Sequence, residues 1–315
     1  MNKLVLSVGE LLWDVLPERT VLGGAPSNVA FRLVELGSDG RIVSRVGTDE
    51  LGRKALKKVA ELGLSTHLIQ QDPRHPTGTV DVTFDARRNP DYVINPDVAY
   101  DYIASTPGLI QSARECHCLV YGTLAQRGSV TRETLAVLME QAPGAIRFLD
   151  INLRKECYTP ERVEASLRGA HVLKANHHEL WEIRKMTGLS ANEIPGLTGE
   201  ISDKFDIPTI VVTLEQFGAF LFDRKEGMHY LPGHEIPLED PLGAGDAFSA
   251  VLVHFMLEGK SLVEACTEGN RRGASVATTP GATQRLDEEY IEKVTGSGRF
   301  HLKEDLAQYV QHPGS

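Results

Sequence analysis

The sequence predicts an α/β fold with a mostly parallel sheet, crossover helices and a small β hairpin set into it. Short apolar runs alternate with segments whose apolar residues fall three and four apart, the pattern of strands each followed by a helix that covers the sheet. One stretch breaks that rhythm with a period of two. Two glycine-rich segments stand where helices begin.

The expected strands are Leu4–Val8, Cys118–Tyr121, 146–151, 171–174 and Thr209–Thr213, and the expected helices 26–36, 51–62, 131–141, 160–167 and 178–186. Pro26 suits the first helical position, where a missing N–H costs nothing, and Gly37, Gly63 and Gly188 suit the left-handed residue after a helix end. From Gly78 to Asp85 apolar and polar residues alternate, Arg87-Arg88-Asn89-Pro90-Asp91 reads as a turn, and Tyr92-Val93-Ile94 returns, which makes a hairpin. A two-stranded ribbon is marginal in water. It must cover something, either a cleft, as a lid, or a second copy of the chain through its exposed strands. The expectation is a single domain over 1–315 with lid segments at 12–22 and 76–100, and a frayed end at His312-Pro313-Gly314-Ser315.

Of the 315 residues 41% are hydrophobic and 24% charged, enough for a sizeable core and unlike a disordered or fibrous chain. Acidic residues outnumber basic ones 43 to 33, and no Lys/Arg block occurs, so no nucleic-acid partner is expected. The first apolar run is cut at Glu10, and no run reaches the roughly 18 residues of a membrane span; a cytoplasmic protein without a membrane partner is expected. Cys116, Cys118, Cys157 and Cys266 are too few for a disulfide scaffold and lack the spacing of a metal site, so they read as ordinary thiols.

The chemistry concentrates in Asp240-Pro241-Leu242-Gly243-Ala244-Gly245-Asp246, which runs into an apolar helix. Glycines at a helix start let backbone approach a ligand, and the unpaired N–H groups with the positive dipole end hold an anion. Asp246 has two readings on spacing alone: a carboxylate that stabilises the helix start, or a base beside the anion hole that takes a proton from a hydroxyl. Other phosphate motifs fail. Gly259-Lys260-Ser261 has the tail of a phosphate loop but His254 in place of its leading glycine, and Gly243-x-Gly245-x-x-Phe248 lacks the third glycine of a dinucleotide site. His177 and His178 beside Glu179 lack the spacing of two zinc ligands on one helix face.

Near the start, Gly9-Glu10-Leu11-Leu12-Trp13-Asp14 follows the first strand and Gly23-Gly24-Ala25-Pro26-Ser27-Asn28 leads into a helix. With Gly-Ala-Gly-Asp, these segments in this order resemble the PfkB, ribokinase-like, family of carbohydrate kinases over essentially the whole chain. The resemblance implies a ribokinase-like three-layer α/β/α sandwich with a mostly parallel central sheet and a small β lid, and ATP-dependent phosphorylation of a sugar, with Mg²⁺ accompanying ATP. It implies that sugar motifs near residues 9–28 and phosphate motifs near 176–281 share one cleft.

Carried over residue by residue, the resemblance makes Asp246 the base and Gly243, Ala244 and Gly245 the anion-hole amides, with Gly245 also facing the nucleotide. Asp14, Gly23, Gly24 and Asn28 would bind the sugar. Asn176 would face the nucleotide, and Glu179 would hold Mg²⁺ through water. Thr213 and Gly218 match the nucleotide loop, in which Glu215 replaces a glycine, a departure that bears on close backbone approach and donor preference; Asn270 falls on the adenine side. Asp240 and Gly281 match a K⁺ site. Asp150-Ile151-Asn152-Leu153-Arg154 resembles fructokinase-like and ketodeoxygluconate-kinase-like members, in which Arg154 would bind a sugar oxygen, a carboxylate or the transferred phosphate. The opening segment and Gly122-Thr123-Leu124-Ala125 look most like fructokinases, which makes the 6-hydroxyl of fructose the leading acceptor. A 2-keto-3-deoxygluconate kinase comes next and a ribose or nucleoside kinase third; a silent sugar or nucleotide sensor is the alternative of a different class.

Overall fold

The computed structural model describes residues 2–15, 20–84 and 90–310. The chain forms two compact units, Met1–Ala145 and Ile146–Ser315. Both are α/β, with sheets whose strands are mostly parallel and connected through helices.

The first unit runs β1 (Leu4–Val8), β2 (Leu12–Val15), β3 (Thr20–Gly23), α1 (Ala25–Glu35), β4 (Asp39–Gly47), α2 (Glu50–Glu61), β5 (Ile69–Asp72), β6 (Gly78–Phe84), β7 (Pro90–Ile94), α3 (Pro107–Glu115), β8 (Cys118–Tyr121) and α4 (Ser129–Gln141). Its parallel strands lie in the order β8-β1-β4-β5, with Val5 opposite both Gly40 and Cys118. All five residues of β1 are buried, as a strand covered on both faces requires. Phe31 of α1, Ile42 and Val46 of β4, and Ala55 and Val59 of α2 form one apolar cluster with Leu11 and Trp13; burying Phe31 alone stabilises the unit by ~1.5–3 kcal/mol. The Trp13 indole N–H is satisfied by the Leu51 carbonyl at 3.0 Å.

β4 has no counterpart among the expected strands. Asp39, Arg41 and Arg45 break its apolar pattern, and each finds an ion-pair partner: Arg41 pairs with Asp39, and Arg45 with the fully buried Asp72 of β5 at 2.8 Å. The hairpin forms, β6 pairing antiparallel with β7, but it does not stand alone. Its sheet runs β3-β2-β6-β7, with β2 parallel to β6 and antiparallel to β3, so four strands share the burial that two could not secure. Pro90 and Asp91, expected in the turn, are strand residues; the rest of that turn, 87–89, lies outside the described residues.

The second unit runs β9 (Ile146–Asp150), α5 (Pro160–Arg168), β10 (Val172–Asn176), α6 (His177–Thr187), α7 (Ile194–Phe205), β11 (Thr209–Thr213), β12 (Ala219–Asp223), β13 (Gly227–Leu231), β14 (Gly233–His234), α8 (Ala244–Leu257), α9 (Leu262–Val276), α10 (Glu288–Thr295) and β15 (Phe300–His301). β9, β10 and β11 are parallel, and the β12–β13 hairpin continues the sheet antiparallel. α7 escapes a periodicity reading because Pro195, Gly196 and Gly199 are poor helix formers. The helix ends fall where expected: Gly37, Gly63 and Gly188 all have positive φ.

All four cysteines are free, buried thiols, and burial pushes Cys116 up to about 11. Among the described residues no helix is long and apolar enough to cross a membrane. The expected frayed end, 312–315, lies outside the described residues.

Candidate active site

In the second unit the site is built around the start of α8. Gly243 caps that helix in the left-handed region, at φ 81, and a Cβ there would lie 2.7 Å from the Ala282 Cα. Glycine is therefore required for both conformation and space. Of the three residues expected to hold an anion, Ala244 spends its N–H on the Pro241 carbonyl at 3.2 Å, and Gly245 stands in the first turn at the positive dipole end. Asp246 is half-buried in this turn. A carboxylate is thus held beside amides suited to a phosphoryl group.

Directly behind that turn lies a buried ion pair that sequence reasoning missed. The Lys174 ammonium of β10 donates to both oxygens of Asp150 on β9, at 3.1 and 3.2 Å, and the Ser249 hydroxyl of α8 donates to Asp150 Oδ2 at 2.7 Å. A Cβ on Gly245 would lie 3.2 Å from the Lys174 Nζ. Burial pushes the lysine down, but the carboxylates of Asp150, Glu179 and Asp246 outweigh it and hold the ammonium above its ordinary value. The available signal was a lysine inside the apolar run Val172-Leu173-Lys174-Ala175.

Asn176 and Glu179 form a reciprocal cap on α6. The Asn176 side chain accepts from the Glu179 N–H at 2.9 Å, and Glu179 Oε2 accepts from the Asn176 N–H at 2.7 Å. Glu179 Oε1 accepts from the Leu153 N–H at 3.0 Å, which ties the loop after β9 to this helix start. Burial pushes the Glu179 carboxyl up, opposed by Lys174 and these two backbone donors. Arg154, on the same loop, is exposed.

Thr213 ends β11 and Gly218 opens the β12 turn at φ 88, where a Cβ would overlap the Leu231 carbonyl oxygen. The Asn270 side chain of α9 donates to that same oxygen at 2.9 Å. Two of the expected nucleotide residues therefore meet at Leu231. Glu215 takes φ 54, a left-handed conformation that suits the glycine it replaces, and its carboxylate lies 3.4 Å from the exposed His178 ring. Glu215→Gly is expected to raise stability by about 0.5–1 kcal/mol, strain relief exceeding the extra freedom glycine gives the unfolded chain. A higher urea midpoint with an unchanged slope would show it.

Asp240 and Gly281 also meet: the Gly281 N–H donates to Asp240 Oδ2 and the Leu242 N–H to Oδ1, both at 3.0 Å. Ala277 O accepts from both Glu239 and Asp240 N–H. Each Asp240 carboxylate oxygen thus accepts one backbone N–H and keeps a lone pair that a hard cation could use.

In the first unit four expected sugar residues gather where β3 feeds α1. Asp14 on β2 pairs with Val21, and a Cβ on Gly23 would lie 2.6 Å from Asp14 Oδ2, so the carboxylate rests against bare backbone. Gly24 caps α1 at φ 114, where any Cβ would overlap the Glu10 carbonyl. Asn28 is buried in the first turn of α1, its N–H donating to Gly24 O at 3.1 Å.

Known proteins resemble the chain in sequence and in fold. The chain is 29% identical to fructokinase-1 of Oryza sativa subsp. japonica, over 91% of this chain and 96% of that one. Its fold matches 2-dehydro-3-deoxygluconokinase of Thermotoga maritima with a TM-score of 0.78, at 20% identity, covering 94% of this chain and 98% of that one. It also matches a fructokinase double mutant from Vibrio cholerae O395, in a form with bound fructose, ADP and potassium ion, with a TM-score of 0.77, at 23% identity over 93% and 98% of the two chains. The profile described as pfkB family carbohydrate kinase matches residues 12–289. With its ribokinase-like α/β fold, the chain belongs to the pfkB family of carbohydrate kinases, phosphotransferases whose acceptor is an alcohol group.

Proposed function

We propose that the chain transfers the γ-phosphoryl group of ATP to the 6-hydroxyl of D-fructose. The observation that carries this reading is the Asp246 carboxylate in the first turn of α8, directly after Gly245 at the positive end of that helix. Asp246 takes the proton of the acceptor hydroxyl as its oxygen attacks the γ-phosphorus, while the amides stabilise charge on the transferring group. Asp14, Gly23, Gly24 and Asn28 hold the sugar, the Asp14 carboxylate accepting from its hydroxyls. Thr213, Gly218, Asn176 and Asn270 line the nucleotide. One reaction needs both sets, so residues 1–315 act as a single kinase domain. The β3-β2-β6-β7 sheet is its lid, closing to exclude water. β7, an edge of that sheet, is the strand through which two copies would pair.

Each Glu179 oxygen accepts one backbone N–H and keeps a lone pair for a water, which suits this carboxylate to hold the Mg²⁺ of the triphosphate through water. When bound, Mg²⁺ neutralises charge on the phosphates. The Asp240 carboxylate, which accepts from the Gly281 N–H, fits K⁺, the ion bound in the Vibrio cholerae fructokinase.

Fructose is favoured by the fructokinase relative at 29% identity. The exposed Arg154 guanidinium favours a second reading, 2-keto-3-deoxygluconate, whose carboxylate it would bind. A coupled ADP-release assay over fructose, 2-keto-3-deoxygluconate, ribose and nucleosides decides between them. The highest kcat/KM is expected with fructose. Preference for the sugar acid would install the second reading, and binding without turnover on any sugar would mark a sensor.

A further inference from the structure

A buried ion pair is often no more stabilising than apolar side chains of the same size. The pair made by Lys174 and Asp150 therefore calls for a reason other than stability, and its place suggests one. A cation near a helix N-terminus sits at the unfavourable end of the dipole. Here the ammonium lies behind Gly245, held by Asp150 from β9, which Ser249 in the second turn of α8 also binds. An anion arriving at the Gly243–Gly245 amides would meet that charge through a single glycine, where low dielectric leaves it little screened.

We propose that Lys174, held by Asp150, which the Ser249 hydroxyl in turn ties to α8, is a positioning residue that fixes the first turn of α8 and holds a positive charge behind Gly245, facing the carboxylate of Asp246. The proposal rests on the functional reading above, in which Asp246 is the base. The charged groups facing Lys174 are Asp150 from β9, Glu179 from α6 and Asp246 from α8. The ammonium favours the ionised form of Asp246, and Asp150 opposes it.

Lys174→Met and Asp150→Asn both break the clamp, yet they change the charge facing Asp246 in opposite senses. With ATP, Mg²⁺ and D-fructose, kcat is expected to fall about tenfold or more in both, with the sugar KM within about twofold of wild type. The acid limb of the kcat/KM profile is expected to move to higher pH in Lys174→Met and to lower pH in Asp150→Asn, by roughly half a unit. A packing role alone would lower the melting temperature without splitting the two limbs, so shifts in one direction, or none, overturn the proposal. If either variant does not fold, Lys174→Met/Asp150→Asn, which removes both members of the pair at once, replaces it; a wild-type kcat there overturns the proposal and an about tenfold loss supports it. Absence of turnover by the wild-type chain on every sugar would instead count against the functional reading. The clamp is then read without substrate by carbon NMR titration of the Asp246 carboxyl, where the same opposed shifts are expected and an unmoved resonance overturns it.

Discussion

Asp246→Asn is expected to fold, to bind sugar and nucleotide with near wild-type affinity, and to lose turnover by roughly 10²–10⁴-fold. The amide matches the carboxylate in size but cannot accept the acceptor's proton. Asp246 lies in the first turn of α8, so removing its charge also removes a favourable dipole interaction, worth only ~0.3–1 kcal/mol. The melting temperature should therefore barely move while kcat collapses. Calorimetry with D-fructose and with ADP, alongside coupled ADP release, separates the two effects. Near-normal kcat would remove Asp246 from the role of base and leave it as a helix-start carboxylate.

That second role was open from the start, because a carboxylate one residue after Gly-Ala-Gly stabilises a helix whatever else it does. What was legible in the sequence was legible through periodicity and glycine. β1, α1 and α6 follow from apolar spacing and helix-end residues, and Gly243, Gly24 and Gly218 follow from backbone conformations or approaches that a Cβ would block. What stayed hidden depends on partners distant in sequence. Arg45 breaks the pattern of β4 until Asp72 arrives beside it, and Lys174 looks misplaced in an apolar strand until Asp150, itself held by Ser249, pairs with it. Asn176 and Glu179 show a different limit. Their spacing fits a metal motif and a capping box equally well, and the structure displays the cap, with each Glu179 oxygen accepting one backbone N–H and lone pairs remaining for water. Asn270 likewise spends its amide hydrogens on Leu231 and Pro232, so its part in binding a nucleotide would run through its oxygen or through the turn it pins.

Gly243→Ala tests whether the anion hole is as demanding as its geometry implies. At φ 81 an alanine incurs ~1–2 kcal/mol of backbone strain, and its methyl would press on Ala282, whose Cα lies 2.7 Å from the added carbon. Backbone must then shift, which adds ~1–3 kcal/mol of overpacking. A loss of about 2–5 kcal/mol is expected, lowering the melting temperature by roughly 3–8 °C. The displaced segment is the one in which Gly281 donates to Asp240, so strain at Gly243 spreads to both sides of the turn. Amides moved by about 1 Å no longer meet the transferring phosphoryl group, and kcat should fall by roughly 10²-fold. Gly259→Ala, just past the far end of α8, is the control: Gly259 has φ 72 but nothing within 4 Å of an added Cβ, so it carries the strain without the overlap. It should cost about 1–2 kcal/mol and leave kcat within a few-fold of wild type. Equal losses of kcat in the two variants would mean that strain anywhere on α8, and not the approach of Gly243 to Ala282, sets the position of its amides.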